Sequence, residues 1–394
     1  MKRNVLIAHG GGPTSVMNAS LFGVIDQAAK YPDKIGSVYG AFHGIEGVLN
    51  DELFDLTRES PKQIALLPQT PSSIICSCRH KVTEDEFPRI VEVLKKHNIG
   101  YFLYNGGNDS MDTCWKIAET AKQIDYELTA VGIPKTIDND LGFTDNCPGY
   151  GSAARYIASS VRDLWMDTQA LPLYVNICET MGRNAGWLTA AASLAEYGGK
   201  PCASLIYLPE RQLKADRFLA DVERVLSRQR EVLVVVSEGL LDENGNSLAE
   251  DTGIVDEFGH KMLSGVGNTL CKLIMQNLKV RARAEKHGFV GRACALLQSE
   301  TDREEAIAVG RKAIDYAVAE NSGVMVTLNR ECDAPFRFGL SEVALRDVAN
   351  VEKYFPDEWI TEDGTGVTAD FKRYAAPLIG GRLDEYAVLE RIRS

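Results

Sequence analysis

Short runs of β-forming residues alternate with amphipathic helical patterns along most of this 394-residue chain. The runs are predominantly apolar, as strands of a parallel sheet are when helices cover both faces. The alternation therefore predicts an α/β fold with parallel-rich sheets. The predicted strands are residues 5–8, 101–105, 130–134, 173–178, 204–208 and 232–237. The predicted helices are residues 111–124, 186–197, 217–228, 268–278 and 304–320.

Length and charge limit the classes of partner. A chain longer than about 250 to 300 residues usually divides its core, so we expect two domains. The chain has 43 Lys and Arg residues against 55 Asp and Glu residues, which gives a net charge of −12. This sign opposes general attraction to nucleic acid or to an anionic membrane, and we expect neither as a partner. An anionic substrate needs a local basic pocket.

Cysteine and histidine usage favours a cytoplasmic protein without a zinc centre. The nine cysteines are scattered and lack the spacing of a disulfide framework or a zinc ribbon, as expected of free thiols in a reducing compartment. The six histidines form no H-E-x-x-H pair. The apolar start of the chain runs directly into glycines and is too short for a signal peptide. No apolar run approaches the roughly 20 residues of a membrane span.

Polar turns follow four of the predicted strands. Ligands of open parallel sheets bind beyond the carboxyl ends of the strands, where backbone amides and helix N-termini favour anions. The four turns are Gly10-Gly11-Gly12, Gly106-Gly107-Asn108-Asp109-Ser110, Lys135-Thr136-Ile137-Asp138-Asn139-Asp140 and Met181-Gly182-Arg183. Taken singly, each also fits a tight turn, a helix cap, an Asx turn or a surface charge. Together they favour a ligand site.

The residue types in these turns are those that phosphoryl transfer requires, namely cations, a metal-binding carboxylate and a base. Lys135 supplies a compact positive charge suited to phosphate. Asp138 and Asp140 lie two residues apart, so that one can act as a base while the other meets a metal or orients the loop. If its turn binds phosphate, Asp109 works through Mg²⁺, because a bare carboxylate would repel the ligand.

Five motifs give the chain a resemblance to the phosphofructokinase family across residues 5 to about 330. The motifs are Gly11-Gly12 with Met17-Asn18-Ala19, Gly106-Gly107-x-x-Ser110, Thr136-Ile137-Asp138-Asn139-Asp140, Met181-Gly182-Arg183 and Ser237-Glu238-Gly239. The resemblance implies two Rossmann-like lobes. Residues 1–149, completed by a segment near 290–330, would bind the phosphoryl donor, and residues 150–289 the sugar phosphate. Residues 331–394 would pack on the lobes or at a subunit interface of a homodimer or homotetramer.

The resemblance also implies roles for individual residues. Asp138 resembles the base that takes the proton from the sugar C1 hydroxyl, and Lys135 and Arg183 complete the expected catalytic set. The residues expected to bind the sugar phosphate are Thr136, Asp140, Met181, Gly182, Glu238, Arg283 and Arg292. Those expected to bind the donor are Gly11, Gly12, Arg79, Gly107, Asn108 and Ser110. Asp109 is the expected Mg²⁺ ligand.

Three departures from the family pattern limit this transfer of roles. Phe289 replaces the histidine of the family's Gly-His-Ile-Gln-Arg run, which weakens the assignment of Arg292. Tyr174 stands where a second arginine is expected, nine residues before Arg183. Asn108 replaces an aspartate that is common in the pyrophosphate-using branch, so it offers a metal an oxygen without a charge.

The residues at positions 109 and 135 favour pyrophosphate over ATP as donor. The resemblance implies glycine at both positions in ATP-using members and Asp and Lys in pyrophosphate-using ones. A carboxylate at 109 would repel the nucleotide's α-phosphate, and a lysine at 135 would hold a donor that has no adenosine. The predicted reaction is reversible transfer from pyrophosphate to fructose 6-phosphate, giving fructose 1,6-bisphosphate and phosphate. The alternatives are an ATP-dependent kinase, a kinase of another sugar phosphate such as sedoheptulose 7-phosphate, and a non-catalytic sugar-phosphate sensor.

Overall fold

The computed structural model describes residues 2–171, 174–249, 251–255, 261–263 and 265–389. The chain divides into two compact units. The first unit comprises Met1–Ala153 and Arg292–Lys353, and the second comprises Ala154–Gly291 and Tyr354–Ser394. Each unit is built from two separate stretches of chain, so residues distant in sequence complete both.

The described residues form strands and helices in alternation. The strands are β1 (Arg3–His9), β2 (Ile35–Ala41), β3 (Leu53–Asp55), β4 (Ile99–Gly106), β5 (Thr129–Pro134), β6 (Val175–Thr180), β7 (Glu196–Tyr197), β8 (Lys200–Pro201), β9 (Leu205–Tyr207), β10 (Val232–Ser237), β11 (Asp251–Val255), β12 (Lys261–Leu263), β13 (Ala282–Lys286), β14 (Val324–Asp333) and β15 (Phe336–Ala344). The helices are α1 (Met17–Ala28), α2 (Ile45–Leu49), α3 (Pro61–Leu66), α4 (Glu86–Lys96), α5 (Asn108–Gln123), α6 (Tyr150–Ala170), α7 (Trp187–Ala190), α8 (Ala215–Leu226), α9 (Val266–Asn277), α10 (Val290–Ala293), α11 (Glu300–Val318), α12 (Leu345–Val348) and α13 (Ala369–Leu378). Short 3₁₀ turns occupy Leu56–Arg58, Leu67–Gln69, Ala191–Leu194 and Asp357–Trp359.

A seven-stranded sheet organises the first unit, in the order β15-β14-β5-β4-β1-β2-β3. Its five central strands run parallel, and antiparallel strands close both edges. In the register of the sheet, His9 pairs with Asn105 and Gly106 pairs with Pro134. The carboxyl ends of β1, β4 and β5 are therefore neighbours, and the turns that follow them share one edge.

Both faces of this sheet are buried, which explains the apolar runs. Val5 and Ile7 of β1 pack in one apolar cluster with residues of α1 and α11, because successive side chains of a strand point to opposite faces. Leu6 and Ala8 pack in a second cluster with residues of α4 and α5. All four side chains are fully buried. The sheet is thus a rigid platform for the turns at its edge.

The second unit contains an all-parallel four-stranded sheet in the order β13-β6-β10-β9. Thr180 and Ser237 pair at the carboxyl ends of β6 and β10, and Lys286 of β13 pairs with Glu179. The strands and the helices α8 and α9 share an apolar core that includes Ile177 and Phe218. Two strand-end turns again lie side by side at one edge of this sheet.

The structure confirms the α/β class and the predicted strands that lie wholly within the described residues, with shifts of at most two residues at their ends. For the strand predicted at 173–178, Leu173 lies outside the described residues, and the strand is Val175–Thr180. The helix predicted at 186–197 is wrong. A four-residue helix, a 3₁₀ turn and the strand β7 occupy that stretch. Residues 187–193 are buried on every side, so their apolar spacing reflects burial rather than an amphipathic helix.

The sequence predicts neither a membrane-spanning helix nor a disulfide framework. Across the described parts of the chain, no helix is long and apolar enough to cross a membrane. All nine cysteines are free thiols, and five of them are buried. Burial raises the pKa of the Cys147 and Cys178 thiols to about 12, so these two are neutral and unreactive near pH 7.

Candidate active site

The turn that follows β1, residues 10–12, is referred to below as the glycine turn. The chain segment around Cys78 runs beside it, because Gly11 N donates to Cys78 O at 2.9 Å and Ser77 Oγ donates to Gly11 O at 2.7 Å. This pairing brings Arg79 to the turn. A Cβ atom on Gly12 would lie 3.0 Å from Nη1 of Arg292 and 3.7 Å from Nη2 of Arg79. Glycine at position 12 thus leaves the main chain open beside two guanidinium groups.

Lys135 adds a third cation to this cluster. Its backbone amide donates to Gly106 O at 3.0 Å, and its Nζ donates to Gly12 O at 2.8 Å. The side chain is only 4% exposed. An ammonium group that is hydrogen-bonded to a neutral carbonyl oxygen keeps its full charge, so the region around the glycine turn attracts anions. We call Arg79, Lys135 and Arg292 the cation cluster.

Burial and the neighbouring charges tune the cation cluster. Burial lowers the pKa of Lys135 to about 8. The carboxylates of Asp138 and Asp140 oppose this shift, whereas the guanidinium groups of Arg292 and Arg79 reinforce it. Burial and the charge of Arg79 also lower the pKa of Arg292. The three cations thus repel one another, and a bound anion would relieve that repulsion.

The Asp109 turn, residues 106–110, joins β4 to α5. Asp109 lies exposed in the first turn of this 16-residue helix, where the helix dipole favours a negative charge. Ser110 is buried below the turn, since a Cβ atom on Gly10 or Gly106 would lie about 2 Å from its Oγ atom. Ser110 therefore packs the two glycine-rich turns against each other. Its hydroxyl does not face an open surface.

The Asp138 turn, residues 136–140, follows β5. Asp138 N donates to Thr136 Oγ1 at 3.0 Å, and Asn139 Oδ1 accepts from Cys147 N at 3.0 Å while Asn139 adopts a positive φ of 54°. Thr136 and Asn139 therefore shape the turn. Asp138 is half-buried, and burial raises the pKa of Asp140 although the Thr136 hydroxyl opposes that shift. The turn thus presents two carboxylates, a residue type that serves in general acid–base chemistry.

The second unit carries a different group of predicted residues. Ser237 Oγ donates to Gly182 O at 2.5 Å, and Glu238 N donates to Thr180 O at 3.0 Å. A Cβ atom on Gly239 would lie 1.7 Å from Arg183 O, so position 239 has room only for glycine. These contacts hold Met181, Gly182 and Arg183 against Glu238. The Arg183 side chain is exposed.

A carboxylate–ammonium chain orients Glu238. Lys286 Nζ lies 2.8 Å from Glu179 Oε1 and 3.5 Å from Glu238 Oε2. Glu179 is fully buried, and its other oxygen accepts from Gly267 N at the start of α9 at 2.9 Å. Partial burial works against the charge of Lys286, but the two carboxylates outweigh it and raise the pKa of the ammonium. Glu238 is therefore directed by a cation.

Arg283 lies apart from Glu238 within the second unit. It pairs with Asn176 in the register of β13 and β6, three positions before Lys286. At about 3.3 Å per residue, that places its Cα roughly 10 Å from the carboxyl end of the strand. Tyr174 directly precedes β6 at the same amino end. Arg292 belongs to the first unit, where its guanidinium group lies beside the glycine turn.

Comparison with known proteins identifies the family. The family model described as Phosphofructokinase matches residues 4–317. The chain is 41% identical over 387 residues to the pyrophosphate–fructose 6-phosphate 1-phosphotransferase of Methylococcus capsulatus, covering 96% of this chain and 92% of that protein. The chain belongs to the phosphofructokinase family. It is also 42% identical over 386 residues to the protein of the same name from Xanthomonas campestris, covering 96% of this chain and 92% of that protein.

A solved structure agrees with this assignment. The crystal structure of the pyrophosphate-dependent phosphofructokinase of Nitrosospira multiformis superposes with a TM-score of 0.88 at 37% identity. The match covers 99% of this chain and 95% of that chain. The comparison confirms the resemblance drawn from the five motifs and the phosphofructokinase fold.

Phosphofructokinases transfer phosphoryl groups and generally need a divalent metal. Within the described part of this phosphofructokinase, no group of three or more His, Cys, Asp or Glu side chains could hold an ion. Metal ions in phosphoryl-transfer sites are commonly held by one or two carboxylates together with substrate phosphates. The exposed carboxylate of Asp109 and the half-buried carboxylate of Asp138 fit a metal held in that way.

Sequence reasoning missed two parts of this phosphofructokinase that bear on the site. Lys286 went unnoticed because β13 alternates charged residues with alanine and was not predicted as a strand. Glu179 went unnoticed because the strand predicted at 173–178 stops one residue before it. Ligands of parallel sheets bind at the carboxyl ends of strands, and Lys286 is the last residue of β13. Residues 348–353, which contact two of the polar turns, follow no predicted strand and match no motif, so nothing in the sequence indicated them.

Proposed function

We propose that this chain transfers a phosphoryl group reversibly from pyrophosphate to the C1 hydroxyl of fructose 6-phosphate, giving fructose 1,6-bisphosphate and phosphate. The observation that carries the proposal is the buried Lys135 ammonium, fixed 2.8 Å from Gly12 O beside Arg79 and Arg292. Three cations in one corner bind a small, highly charged donor that has no nucleoside to bury. The names of relatives about 40% identical support this donor and acceptor.

In the proposed mechanism the first unit holds the donor. The cation cluster binds pyrophosphate oxygens, and the glycine turn allows the phosphates to approach the main chain. A Mg²⁺ ion, held by Asp109 with the phosphate oxygens, would neutralise charge on the transferring group. Asp138 accepts the proton of the sugar C1 hydroxyl, which makes that oxygen a nucleophile. Asp140 shares the turn with Asp138, and its carboxylate accepts a hydrogen bond from Thr136.

The second unit holds the sugar phosphate in this proposal. Glu238, oriented by Lys286, accepts hydrogen bonds from sugar hydroxyls, and the turn containing Met181, Gly182 and Arg183 lies directly beside it. Arg183 supplies a positive charge to sugar or phosphoryl oxygens. Arg283 remains assigned to the sugar 6-phosphate by family resemblance, and its exposed position on β13 is open to a ligand.

Two further assignments belong to the proposal. We infer a cytoplasmic location, which nine free cysteines support because such thiols persist in a reducing compartment. We also infer a homodimer or homotetramer, since Phe289 and Val290 expose 71% and 64% of their surface, as residues at subunit contacts do before assembly. Light scattering of the purified protein measures the oligomeric state.

The donor is tested by initial rates with pyrophosphate and with ATP, each with Mg²⁺ and fructose 6-phosphate. We expect turnover with pyrophosphate and little with ATP. The double variant Asp109→Gly with Lys135→Gly should lose pyrophosphate activity and gain ATP activity, because it removes both the repulsion and the anchoring charge. The matched control, Asp112→Gly with Lys116→Gly, removes a partly exposed Asp–Lys pair of α5 and should leave donor choice unchanged.

The outcomes separate the alternatives. Turnover with ATP alone would establish the ATP-dependent alternative, and faster turnover of sedoheptulose 7-phosphate would change the acceptor. Absence of turnover with every donor and acceptor would leave the non-catalytic sensor. Unchanged pyrophosphate kinetics in the double variant would remove the discrimination argument even if wild-type enzyme uses pyrophosphate.

A further inference from the structure

Residues 348–353 lie at the end of the first unit and contact two of the turns that carry site residues. The segment begins at Val348, the last residue of α12, and ends at Lys353. Leu345 and Val348 are fully buried in the same apolar cluster as Met111 of α5. This core contact fixes the start of the segment against the helix that bears Asp109.

The first contact is made by Asn108, the residue before Asp109. The Asn108 amide lies against the carbonyl oxygens of Val348 and Val351, at 3.2 and 3.1 Å when its nitrogen faces them. That orientation pairs a donor with two acceptors, as hydrogen-bond networks require. A carboxylate at position 108 would instead face two carbonyl oxygens without a proton to donate. The surroundings of residue 108 thus require an amide.

The second contact ties the segment to the Asp138 turn. Lys353 N donates to Asp140 O at 2.7 Å, and Glu352 forms an antiparallel bridge with Leu141. The Lys353 ammonium donates to the carbonyl oxygens of Thr144 and Asp145, both at 3.0 Å. The chain directly after the Asp138 turn is therefore bound at several points.

We propose that residues 348–353, which we call the brace segment, hold the Asp109 turn and the Asp138 turn in fixed relation, with Asn108 as a positioning residue that works only as an amide. The assay of this inference rests on the proposed function. The brace segment lies beyond the residues 4–317 that match the family model. It gives Asn108 a role other than metal or phosphate binding. Fixing the two turns matters because small misplacements of reacting groups slow catalysis greatly.

Two substitutions at position 108 separate the positioning role from a ligand role. Asn108→Asp and Asn108→Ala both remove the donor, so we expect each to lower kcat/KM about tenfold, as loss of buried hydrogen bonds does. If Asn108 were instead a ligand of metal or phosphate, the two variants would differ in activity. Asp would bind the metal at least as well as Asn, and only the Ala variant would lose activity. An Asp variant as active as wild type would overturn the inference.

A matched control makes the same substitution elsewhere in the first unit. Asn98 also donates to a main-chain carbonyl, that of Lys2, at 3.1 Å, and it precedes β4 at the opposite end of that strand. Asn98→Asp should leave kcat/KM within about twofold of wild type. An equal loss in both variants would show a general effect of the substitution, and would also count against the brace.

Hydrogen–deuterium exchange without substrates tests the brace independently of the donor. In Asn108→Asp, backbone amides of 349–353 and 139–142 should exchange faster, while those of β1 keep their wild-type rates. Unchanged exchange in both ranges would overturn the brace. If these amides exchange faster but the enzyme proves to use ATP, the brace is supported and only the donor assignment is rejected.

A double-mutant cycle tests whether the two contacts act through one element. Lys353→Met removes the donor to Thr144 and Asp145 while keeping the length of the side chain. If both contacts act through the brace, the fold-reduction in kcat of the double variant with Asn108→Ala is smaller than the product of the two single fold-reductions. Strictly multiplicative losses would contradict a shared element. Thermal unfolding of each variant verifies that it is folded at the assay temperature.

Discussion

The polar turns of the two units occupy the same place in a parallel sheet, yet their charges are arranged in opposite ways. In the first unit the Lys135 ammonium donates a hydrogen bond to a carbonyl oxygen, with two guanidinium groups nearby. In the second unit the Lys286 ammonium lies between the carboxylates of Glu179 and Glu238. The first arrangement keeps positive charge available for an anion, whereas the second uses a cation to orient an acceptor for hydroxyl groups. The equivalent edges of the two sheets therefore suit two different kinds of ligand.

The largest expected effect is at Asp138. Asp138→Ala removes the proposed base, so kcat should fall roughly 100- to 10,000-fold. The KM for fructose 6-phosphate should change little, because the proposed sugar contacts belong to the second unit. Steady-state kinetics with Asp138→Asn alongside distinguish loss of basicity from loss of shape. The base assignment fails if either variant turns over like wild type.

The charge of the cation cluster can be tested by pH. Since burial lowers the pKa of Lys135 to about 8, the ammonium loses its proton as pH rises above that value. The kcat/KM for pyrophosphate, which reports the free enzyme, should therefore fall tenfold per pH unit above about 8. Lys135→Arg should flatten this decline because a guanidinium stays protonated. Pyrophosphate ionises identically in both assays, so parallel profiles for the two enzymes would contradict the prediction.

The second unit should respond selectively in the sugar kinetics. Lys286→Met frees Glu238 from its cation, and we expect the KM for fructose 6-phosphate to rise about tenfold. The KM for pyrophosphate should stay within twofold of wild type, roughly the scatter of a neutral substitution. Lys286→Arg, which keeps the charge, should restore part of the sugar affinity. Equal changes in the KM values for both substrates would contradict the assignment of different ligands to the two units.

The smallest effect concerns stability within the first unit. Glu305 is fully buried, and burial raises its pKa well above the usual range, with Asp302 nearby adding to the shift. A raised folded-state pKa means that the folded protein binds the proton more tightly, so wild-type stability falls as pH rises from about 4. Glu305→Gln removes this dependence and should stabilise the protein at pH 8 by about 1 kcal/mol. Glu304→Gln, an exposed neighbour, should change nothing in chemical unfolding.

Much of the candidate site could be predicted because strand-end turns are short and local. The turns after β1, β4, β5 and β6 contain glycines, charged residues or both, and the parallel strands of one sheet deliver their carboxyl ends to one edge of that sheet. Family resemblance alone predicts Arg79 among the donor residues, and it assigns Arg292 to the sugar phosphate rather than to the cation cluster. Their approach to Gly12 depends on chain segments far apart in sequence.

The brace shows what sequence patterns could not provide. Asn108 appeared in the sequence as a weakened metal ligand because only its residue type was visible. In the structure its amide meets two carbonyl oxygens contributed 240 and more residues later. Main-chain carbonyls carry no sequence signal, so such a partner could not be inferred from residue types.

The amino-acid sequence by itself determined the alternation of strands and helices, the polar turns at the strand ends and the family. Periodicity and turn chemistry are local properties, and they survive without knowledge of distant contacts. The tertiary structure alone decided which charges are buried together, which carboxylate is steered by Lys286, and which segment holds Asn108. Desolvation and hydrogen bonding act through space, so they depend on neighbours that the order of residues does not reveal.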